Sequence, residues 1–277
     1  MTETPDDGLE VFELELLGGD TEASYRDARP EVEAMPWGTL GAAVRDWAPE
    51  LVLAARQGWT SAAFQEHRTG AACAATLEAL IAARVPLDLV AVASRFPLDE
   101  MVHVELCSRM AMELGGGTEI RYDPRRLVGR PAEAGADAHP LMRAAHLVVA
   151  YFCVGEALSI PLLQGTWRAA SHPLAKAVLR RIVVDEADHG TFGWRFLDWA
   201  LPCLEDDDLA ALTRTAGEAI SEIRRSWDLI RARPTAPDAQ IHALGWMRSD
   251  AYLELAARSL ERQVLAPLHA RGLTPTA

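Results

Sequence analysis

The chain has few of the residues that favour β-sheets and lacks the signals of several common protein classes. Aromatic residues make up 6% of its 277 residues, and alanine and leucine dominate, which predicts a mainly helical protein. No basic n-region with an apolar h-region opens the chain, and no run approaches the roughly 20 apolar residues of a membrane span. We therefore expect a soluble, cytoplasmic protein with no membrane partner.

Paired cysteines, basic stripes and cofactor motifs are also missing. The four cysteines, at positions 73, 107, 153 and 203, form no Cys-x-x-Cys pair, which predicts free thiols in a reducing compartment. Residues 1–33 carry a net charge of −9 out of the chain's −13. That balance argues against a nucleic-acid partner, since nucleic-acid binding needs a basic stripe. No flavin, NAD or iron–sulfur motif is found.

Helical patterns fill the chain from about residue 60 onward. Four long segments are expected at residues 60–84, 87–114, 140–170 and 174–201, followed by helical stretches near 207–232 and 238–270. Pro97 and Pro161 interrupt the second and third segments, and the glycine run 115–117 ends the second. A polar connection over about 116–139 separates two helix pairs, which is the layout of a bundle with one long crossover.

These patterns predict an all-α protein in three parts. Residues 1–50 form an acidic N-terminal extension, expected to be a solvated arm that contains a short strand at "VFELELL". Residues 51–205 form the helical bundle. Residues 206–277 form C-terminal helices that pack on the bundle.

Two motifs with the pattern Asp-Glu-x-x-His stand at the centres of two long segments, "DEMVH" at 99–103 and "DEADH" at 185–189. One Glu-x-x-His spacing alone is weak evidence, but two that share the preceding Asp are a strong signal. Three residues along a helix rotate about 300°, so Glu and His project from one face about one turn apart. Glu100, His103, Glu186 and His189 are therefore candidate metal ligands.

Glu66 and Glu156 are the candidate ligands from the other two helices. Glu66 lies 34 residues before Glu100, and Glu156 lies 30 residues before Glu186, so the two halves mirror each other. Glu156 stands in an apolar segment, where a buried carboxylate needs a cation or a proton. Four glutamates balance the charge of two divalent ions. Glu78 is an alternative to Glu66, nearer the expected end of the same helix.

Asp99 and Asp185 are expected to support the histidines. A ligating imidazole usually donates its second N–H to a carboxylate. Each Asp precedes a ligand Glu and points toward the opposite helix, so Asp99 is expected to contact His189, and Asp185 to contact His103.

Cys107 and Tyr151 are further candidates near the site. Cys73, Cys107 and Cys153 fall on inward faces, where a role as small core fillers is expected and redox participation is the alternative. Tyr151 is interpreted as a packed tyrosine with a hydrogen-bonded hydroxyl, and a radical or proton relay is the alternative.

Taken in order, Glu66, "DEMVH", Glu156 and "DEADH" resemble the ligand pattern of the ferritin-like diiron-carboxylate superfamily. That superfamily includes ribonucleotide reductase small subunits, bacterial multicomponent monooxygenases, rubrerythrins, ferritins and stand-alone diiron oxygenases. The resemblance covers about residues 58–202 and implies a four-helix bundle with a carboxylate-bridged pair of metals, usually iron. It implies one metal served by Glu66, Glu100 and His103, the other by Glu156, Glu186 and His189, with Glu100 and Glu186 as bridges.

The chain departs from each familiar branch of that superfamily. Cys107 stands where ribonucleotide reductases have a radical tyrosine, as in methane-monooxygenase-type hydroxylases. Those hydroxylases have a threonine where this chain has Ile160, and related N-oxygenases have a third histidine where it has Ile182. Rubrerythrins carry a Cys-x-x-Cys module that this chain lacks. These departures leave the substrate open.

The resemblance implies a non-haem diiron oxidase or oxygenase that uses O2 to hydroxylate, desaturate or N-oxidise a small organic substrate. Two iron ions are the implied cofactor, with manganese as an alternative, and an external electron donor (a reductase, a ferredoxin or a chemical reductant) is needed. The alternatives are a ferroxidase or iron-storage protein, a dimanganese catalase, and a tRNA-modifying hydroxylase suggested by Arg121, Arg125, Arg126 and Arg130. Homodimer formation is left open.

Overall fold

The protein is mainly helical, as its composition predicts. A computed structural model describes residues 8–129, 131 and 139–276. Helices account for 74% and strands for 2% of the structure, which confirms the all-α class.

The N-terminal extension begins with one strand and three short helices, β1 (Glu10–Val11), α1 (Gly19–Asp27), α2 (Pro30–Glu33) and α3 (Leu40–Ala43). β1 pairs antiparallel with β2 (Arg121–Tyr122) in the crossover, so the predicted strand exists but covers only two residues. Val32 and Leu40 are fully buried. The expected solvated arm is therefore wrong from α2 onward, because these apolar side chains insert into the core.

The first helix pair consists of α4 (Pro49–Ala82), followed by α5 (Leu87–Ala93) and α6 (Phe96–Glu113). α4 starts earlier than predicted, with Pro49 in its first turn, where proline is well tolerated. Pro97 also lies in a first turn, because the helix stops after Ala93 and restarts at Phe96. Gly115 and Gly116 follow α6 with φ of 106° and 107°, a conformation that favours glycine and ends the helix as predicted.

The crossover holds β2 and a 3₁₀ turn (Pro124–Arg126), and the third long segment begins after it. That segment consists of α7 (Pro140–Leu147), a π-helical stretch (Val148–Glu156) and α8 (Ala157–Ala169). The predicted break at Pro161 is wrong, since Pro161 lies inside α8. The irregularity is the π-helical stretch before it, and such stretches are frequent at functional sites.

The fourth segment is α9 (Pro173–Ala200), close to its predicted bounds, and a 3₁₀ turn (Leu201–Cys203) follows it. The C-terminal region comprises α10 (Asp206–Arg231), α11 (Asp238–Ala243), α12 (Ser249–Ser259), a π-helical turn (Leu260–Leu265) and α13 (Ala266–His269). The helix expected over 238–270 is thus divided. Gly245, at φ 77°, lies in the gap between α11 and α12.

Two apolar clusters form the core. One joins the start of α6 with the π-helical stretch, the second half of α9 and the C-terminal helices, and it includes Phe96 and Phe192. The other joins the N-terminal extension with the first half of α4, the rest of α6 and the first half of α9, and it includes Val102 and Ile182. Along both α6 and α9, the Asp-Glu-x-x-His motif lies at the boundary between the two clusters.

One helical run, Pro140–Ala169, is long and apolar enough to cross a membrane by length and composition, with a mean hydropathy of 1.7 in its most apolar window. The expectation that no segment is long and apolar enough to span a membrane is therefore wrong for this run. Of that window, 61% is buried inside the protein, as in the core helix of a soluble protein.

α9 packs closely against the π-helical stretch at Gly193, and a substitution at this position tests that contact. A Cβ at this position would lie 2.9 Å from the backbone nitrogen of Cys153 and 2.9 Å from Cβ of Phe152, neither of which can rotate away. We expect Gly193→Ala to lower the free energy of unfolding by about 1–3 kcal/mol. Urea denaturation followed by circular dichroism measures this.

Gly217→Ala is the matched control, since a Cβ there would lie 3.6 Å from its nearest neighbour, an ordinary contact. In the middle of α10, this change is expected to stabilise the protein by up to about 1 kcal/mol. Equal unfolding midpoints for the two variants would contradict the packing described.

Candidate metal centre

The paired motifs on α6 and α9 place two glutamates and two histidines in the interior. Glu100, His103 and His189 are 0% exposed, and Glu186 is 2% exposed. Each Glu lies one turn before its His, so both side chains project from one face of the helix. The two faces meet, because the imidazole Nδ1 of His189 on α9 lies 3.2 Å from a carboxylate oxygen of Glu100 on α6.

Glu66 of α4 and Glu156, the last residue of the π-helical stretch, complete the cluster. Candidate ligand atoms of Glu66, Glu100, His103 and Glu186 all lie within 4.8 Å of one another, and so do those of Glu100, Glu156, Glu186 and His189. Glu78, the alternative to Glu66, is in neither group and instead pairs with Arg143 at 2.6 Å near the surface. The structure thus brings together all six predicted ligand side chains.

Glu100 and Glu186 each face both histidines. Oε2 of Glu100 lies 3.6 Å from Nδ1 of His103, and Oε1 lies 3.2 Å from Nδ1 of His189. Oε1 of Glu186 lies 3.4 Å from Nδ1 of His103, and Oε2 lies 3.0 Å from Nδ1 of His189. This divides the cluster into a His103 half, with Glu66, and a His189 half, with Glu156.

Several of these inward atoms have no hydrogen-bond partner among the described residues. They are both carboxylate oxygens of Glu100, Oε2 of Glu186, and Nδ1 of His103 and His189. Their mutual contacts are close but lack hydrogen-bond geometry. An unsatisfied buried polar atom is costly. A cation at the centre of each half would satisfy them, so the residues present fit a metal.

Protons balance part of the negative charge when no cation is bound. Burial raises the pKa of Glu66 well above its usual value, and the neighbouring Glu100 raises it further. The pKa of Glu156 is also raised well above its usual value, by burial and by Glu186. Burial opposes a charge on His189, but Asp99, Glu100 and Glu186 outweigh it and raise the pKa of His189 to about 12.

Asp99 and Asp185 contact the histidines across the helix pair, as predicted. Oδ2 of Asp185 is hydrogen-bonded to Nε2 of His103 at 3.2 Å. Oδ2 of Asp99 lies 3.6 Å from Nε2 of His189, beyond hydrogen-bond distance, and this nitrogen has no hydrogen-bond partner among the described residues. A carboxylate at Nε2 favours a proton on that nitrogen. Nδ1, which faces the glutamates, is then free to bind a metal.

Two arginines that we did not predict extend these contacts outward. Nε of Arg181 lies 2.7 Å from Asp185, and Nε of Arg95 lies 3.2 Å from Asp99. Each arginine stands four residues before its aspartate. Both helices therefore carry the longer pattern Arg-x-x-x-Asp-Glu-x-x-His, and a search for repeats beyond the Asp would have revealed it.

The remaining candidates lie around the cluster. Cys107 is buried, and burial, together with the charge of Glu66, raises its pKa well above the usual value, so the thiol stays neutral. The hydroxyl of Tyr151 donates to the backbone oxygen of Gly129 at 2.7 Å, as expected of a packed tyrosine. Ile160 packs against Gly190.

A surface pocket of about 270 Å³ opens at the break between α5 and α6. Its lining comprises Ala91, Val92, Arg95, Phe96, Asp99 and Asp188. The ring of Phe96 lies 4.1 Å from that of His189, and Asp99 contacts the same histidine. The break at Pro97 thus opens toward the His189 half of the cluster.

Comparisons with protein-family models, curated proteins and solved structures find no match for this chain. The ligand types in the cluster limit which metal ions it can bind. Imidazoles suit iron and zinc, and carboxylates suit harder ions such as manganese. The buried glutamate and histidine cluster can therefore hold a metal ion of this group.

Removing single ligands should distinguish the glutamates that face both histidines, Glu100 and Glu186, from Glu66 and Glu156, which belong to one half each. We expect wild-type protein to bind two Co(II) per chain, Glu66→Ala and Glu156→Ala to bind one each, and Glu100→Ala to lose tight binding of both. Glu78→Gln is the control on α4 and should still bind two. Anaerobic Co(II) titration followed by visible absorption measures this. Two tightly bound ions in Glu100→Ala would contradict a shared role for Glu100.

Stability and metal binding should respond oppositely to pH. Glu66, Glu156, His103 and His189 all have pKa values raised by folding. The folded, metal-free protein therefore retains protons that the unfolded chain releases, so its stability should fall as pH rises from 5.5 to 8. The slope is about 1.4 kcal/mol per pH unit for each retained proton.

Metal binding should instead tighten over the same pH range, because ligands must lose their protons to bind. Urea denaturation of EDTA-treated protein and Co(II) titration at matched pH values measure the two trends. A metal-free protein that gains stability with rising pH would contradict the charge balance described.

Proposed function

We propose that this protein is a non-haem diiron oxidase or oxygenase that uses O2 to oxidise a small organic substrate. The observation that carries the proposal is the geometry of Glu100 and Glu186, each with one oxygen toward each histidine Nδ1. Carboxylates so placed suit two metal ions side by side better than one.

The arrangement of the helices supports the same proposal. α4, α6, the π-helical stretch that continues into α8, and α9 each supply part of the cluster. Two helix pairs separated by a crossover are the layout that we propose for a ferritin-like four-helix bundle. Dimetal sites in such bundles use Glu-x-x-His on two helices and single Glu residues on the others. This chain has that donor set.

In the proposal, Glu66 and Glu156 would each help to hold one metal, and Glu100 and Glu186 would help to hold both. A bound iron pair supplies the electrons and the open coordination positions for O2 activation. The protein would balance the charge of the metals with four carboxylates. Asp185 orients the imidazole of His103 through a hydrogen bond, and Asp99 lies 3.6 Å from Nε2 of His189. An external electron donor, a reductase, a ferredoxin or a chemical reductant, restores the reduced state after each turnover.

The substrate is proposed to be small and largely apolar. The ring of Phe96 lies against His189, and the rings of Phe152 and Phe192 pack on Phe96, with the three phenyl centroids 5.1–5.5 Å apart. We propose that substrate enters beside these rings, through the pocket at the break before Pro97. The proposed oxidation is a hydroxylation, a desaturation or an N-oxidation of this substrate.

A ferroxidase or iron-storage protein is the second candidate, since the same ligands bind iron for storage. The helices after residue 205 favour the oxygenase, because they add packing that a storage subunit does not need. A tRNA-modifying hydroxylase is less favoured. Arg125 in the crossover is paired with Asp123 at 2.9 Å, and Arg130 lies outside the described residues. We also propose that the protein is cytoplasmic and that it can form a homodimer.

Reaction with O2 tests the proposed function. Protein loaded anaerobically with two Fe(II) per chain and then mixed with O2 should give a transient visible band within seconds, with one O2 consumed for two Fe(II). Glu186→Ala should abolish the band, because it removes one shared carboxylate, and Glu78→Gln should retain it. Stopped-flow absorption and an oxygen electrode measure this.

The storage alternative predicts a different result. It would show hundreds of iron atoms held per assembly and a large hollow oligomer by light scattering. No binding of two irons, or no reaction with O2, would contradict both functions.

A further inference from the structure

The arginines Arg95 and Arg181 are related by the repeated motif but differ in what lies beyond them. Arg181 contacts Asp185 on its inner side. On its outer side it binds Glu31 of α2, with NH1 2.6 Å from Oε1. Arg95 has no such partner on α2. Its nearest further carboxylate is Asp188 at 3.9 Å, and its side chain is 58% exposed against 25% for Arg181.

Contacts on either side hold Glu31 in place. Val32 is fully buried in the core. Arg29, just before α2, is buried and pairs with Glu105 of α6 at 2.7 Å. The position of Glu31 beside Arg181 is therefore set by the docking of the whole N-terminal segment.

A continuous chain of contacts thus runs from the N-terminal extension to one half of the cluster. Glu31 contacts Arg181 at 2.6 Å, Arg181 contacts Asp185 at 2.7 Å, and Asp185 contacts Nε2 of His103 at 3.2 Å. A guanidinium held at both ends cannot rotate away from Asp185. Charge-assisted contacts of this kind are short and strongly oriented.

We propose that Glu31 and Arg181 are positioning residues that set the metal affinity of the His103 half alone. They fix Asp185, which holds the proton of His103 on Nε2 and leaves Nδ1 free for the metal. The His189 half depends on Arg95, which faces solvent in the pocket, so the two halves bind metal unequally. The inference rests on the proposed dimetal function and extends it to the N-terminal extension.

Single-half variants separate the two affinities. Glu156→Ala leaves the His103 half with its own terminal ligand, and Glu66→Ala leaves the His189 half. In the Glu156→Ala protein, adding Glu31→Gln should weaken Co(II) binding about 10-fold, the loss typical of an outer partner of a metal ligand. In the Glu66→Ala protein, the same change should leave the Co(II) dissociation constant unaltered.

Glu33→Gln is the matched control, because Glu33 lies on the same helix and pairs with Arg26 and Arg109 instead of Arg181. It should weaken neither half, because buried Val32 and the ion pair between Arg29 and Glu105 still dock α2. Arg181→Met should reproduce the effect of Glu31→Gln, and Arg181→Lys should restore part of the affinity. In the Co(II) protein, the exchangeable Nε2 proton of His103 should also exchange faster in Glu31→Gln, as measured by paramagnetic proton NMR.

The possible outcomes separate this inference from the function on which it rests. If Glu31→Gln weakens both halves equally or neither half, or if Glu33→Gln has an equal effect, the inference is overturned while the metal site stands. If the wild-type protein binds no Co(II), the proposed function and the inference fail together. Selective weakening of the His103 half supports both.

Discussion

The structure depends on placing four carboxylates and two imidazoles between two apolar clusters. All are buried except the side chain of Glu66, which is 19% exposed. Such a set of charges is unfavourable unless cations or protons balance it. Without a metal, raised pKa values of Glu66, Glu156 and both histidines keep protons in the cluster. With two divalent ions, the four glutamates are neutralised and their inward atoms gain partners. The cluster can therefore hold a metal ion, and without one its buried charges lower the stability of the fold.

Two irregular features of the fold, the π-helical stretch and the break between α5 and α6, lie close to this cluster. Glu156 ends the π-helical stretch, and the break between α5 and α6 opens a pocket beside Phe96 and Asp99. Gly193 lets the π-helical stretch approach α9 closely. Regular helices would pack as well in an apolar core, so their departures from regularity are best explained by the needs of the site and by access to it.

The sequence was informative where side-chain chemistry repeats at helical spacing. Both Asp-Glu-x-x-His motifs, the paired Glu66 and Glu156, and the crossing contacts of Asp99 and Asp185 were all predicted by spacing, because a helix fixes which residues share a face. The π-helical stretch was not predicted, since no residue pattern separates it from an α-helix. The docking of α2 was missed because its acidic surroundings suggested solvation, although Val32 and Arg29 carry it into the core. Contacts between distant segments, such as Glu31 with Arg181, depend on tertiary packing that spacing does not encode.

The central claim is that Glu100 and Glu186 would both be shared by two metals, one held by His103 and the other by His189. X-ray absorption spectroscopy of protein loaded with two Fe(II) per chain tests it most directly. The account predicts a first shell of oxygen and nitrogen with about one imidazole per iron, and iron–iron scattering at about 3.5–4 Å. A single iron without a metal neighbour, or sulfur in the first shell from Cys107 or Cys73, would contradict it.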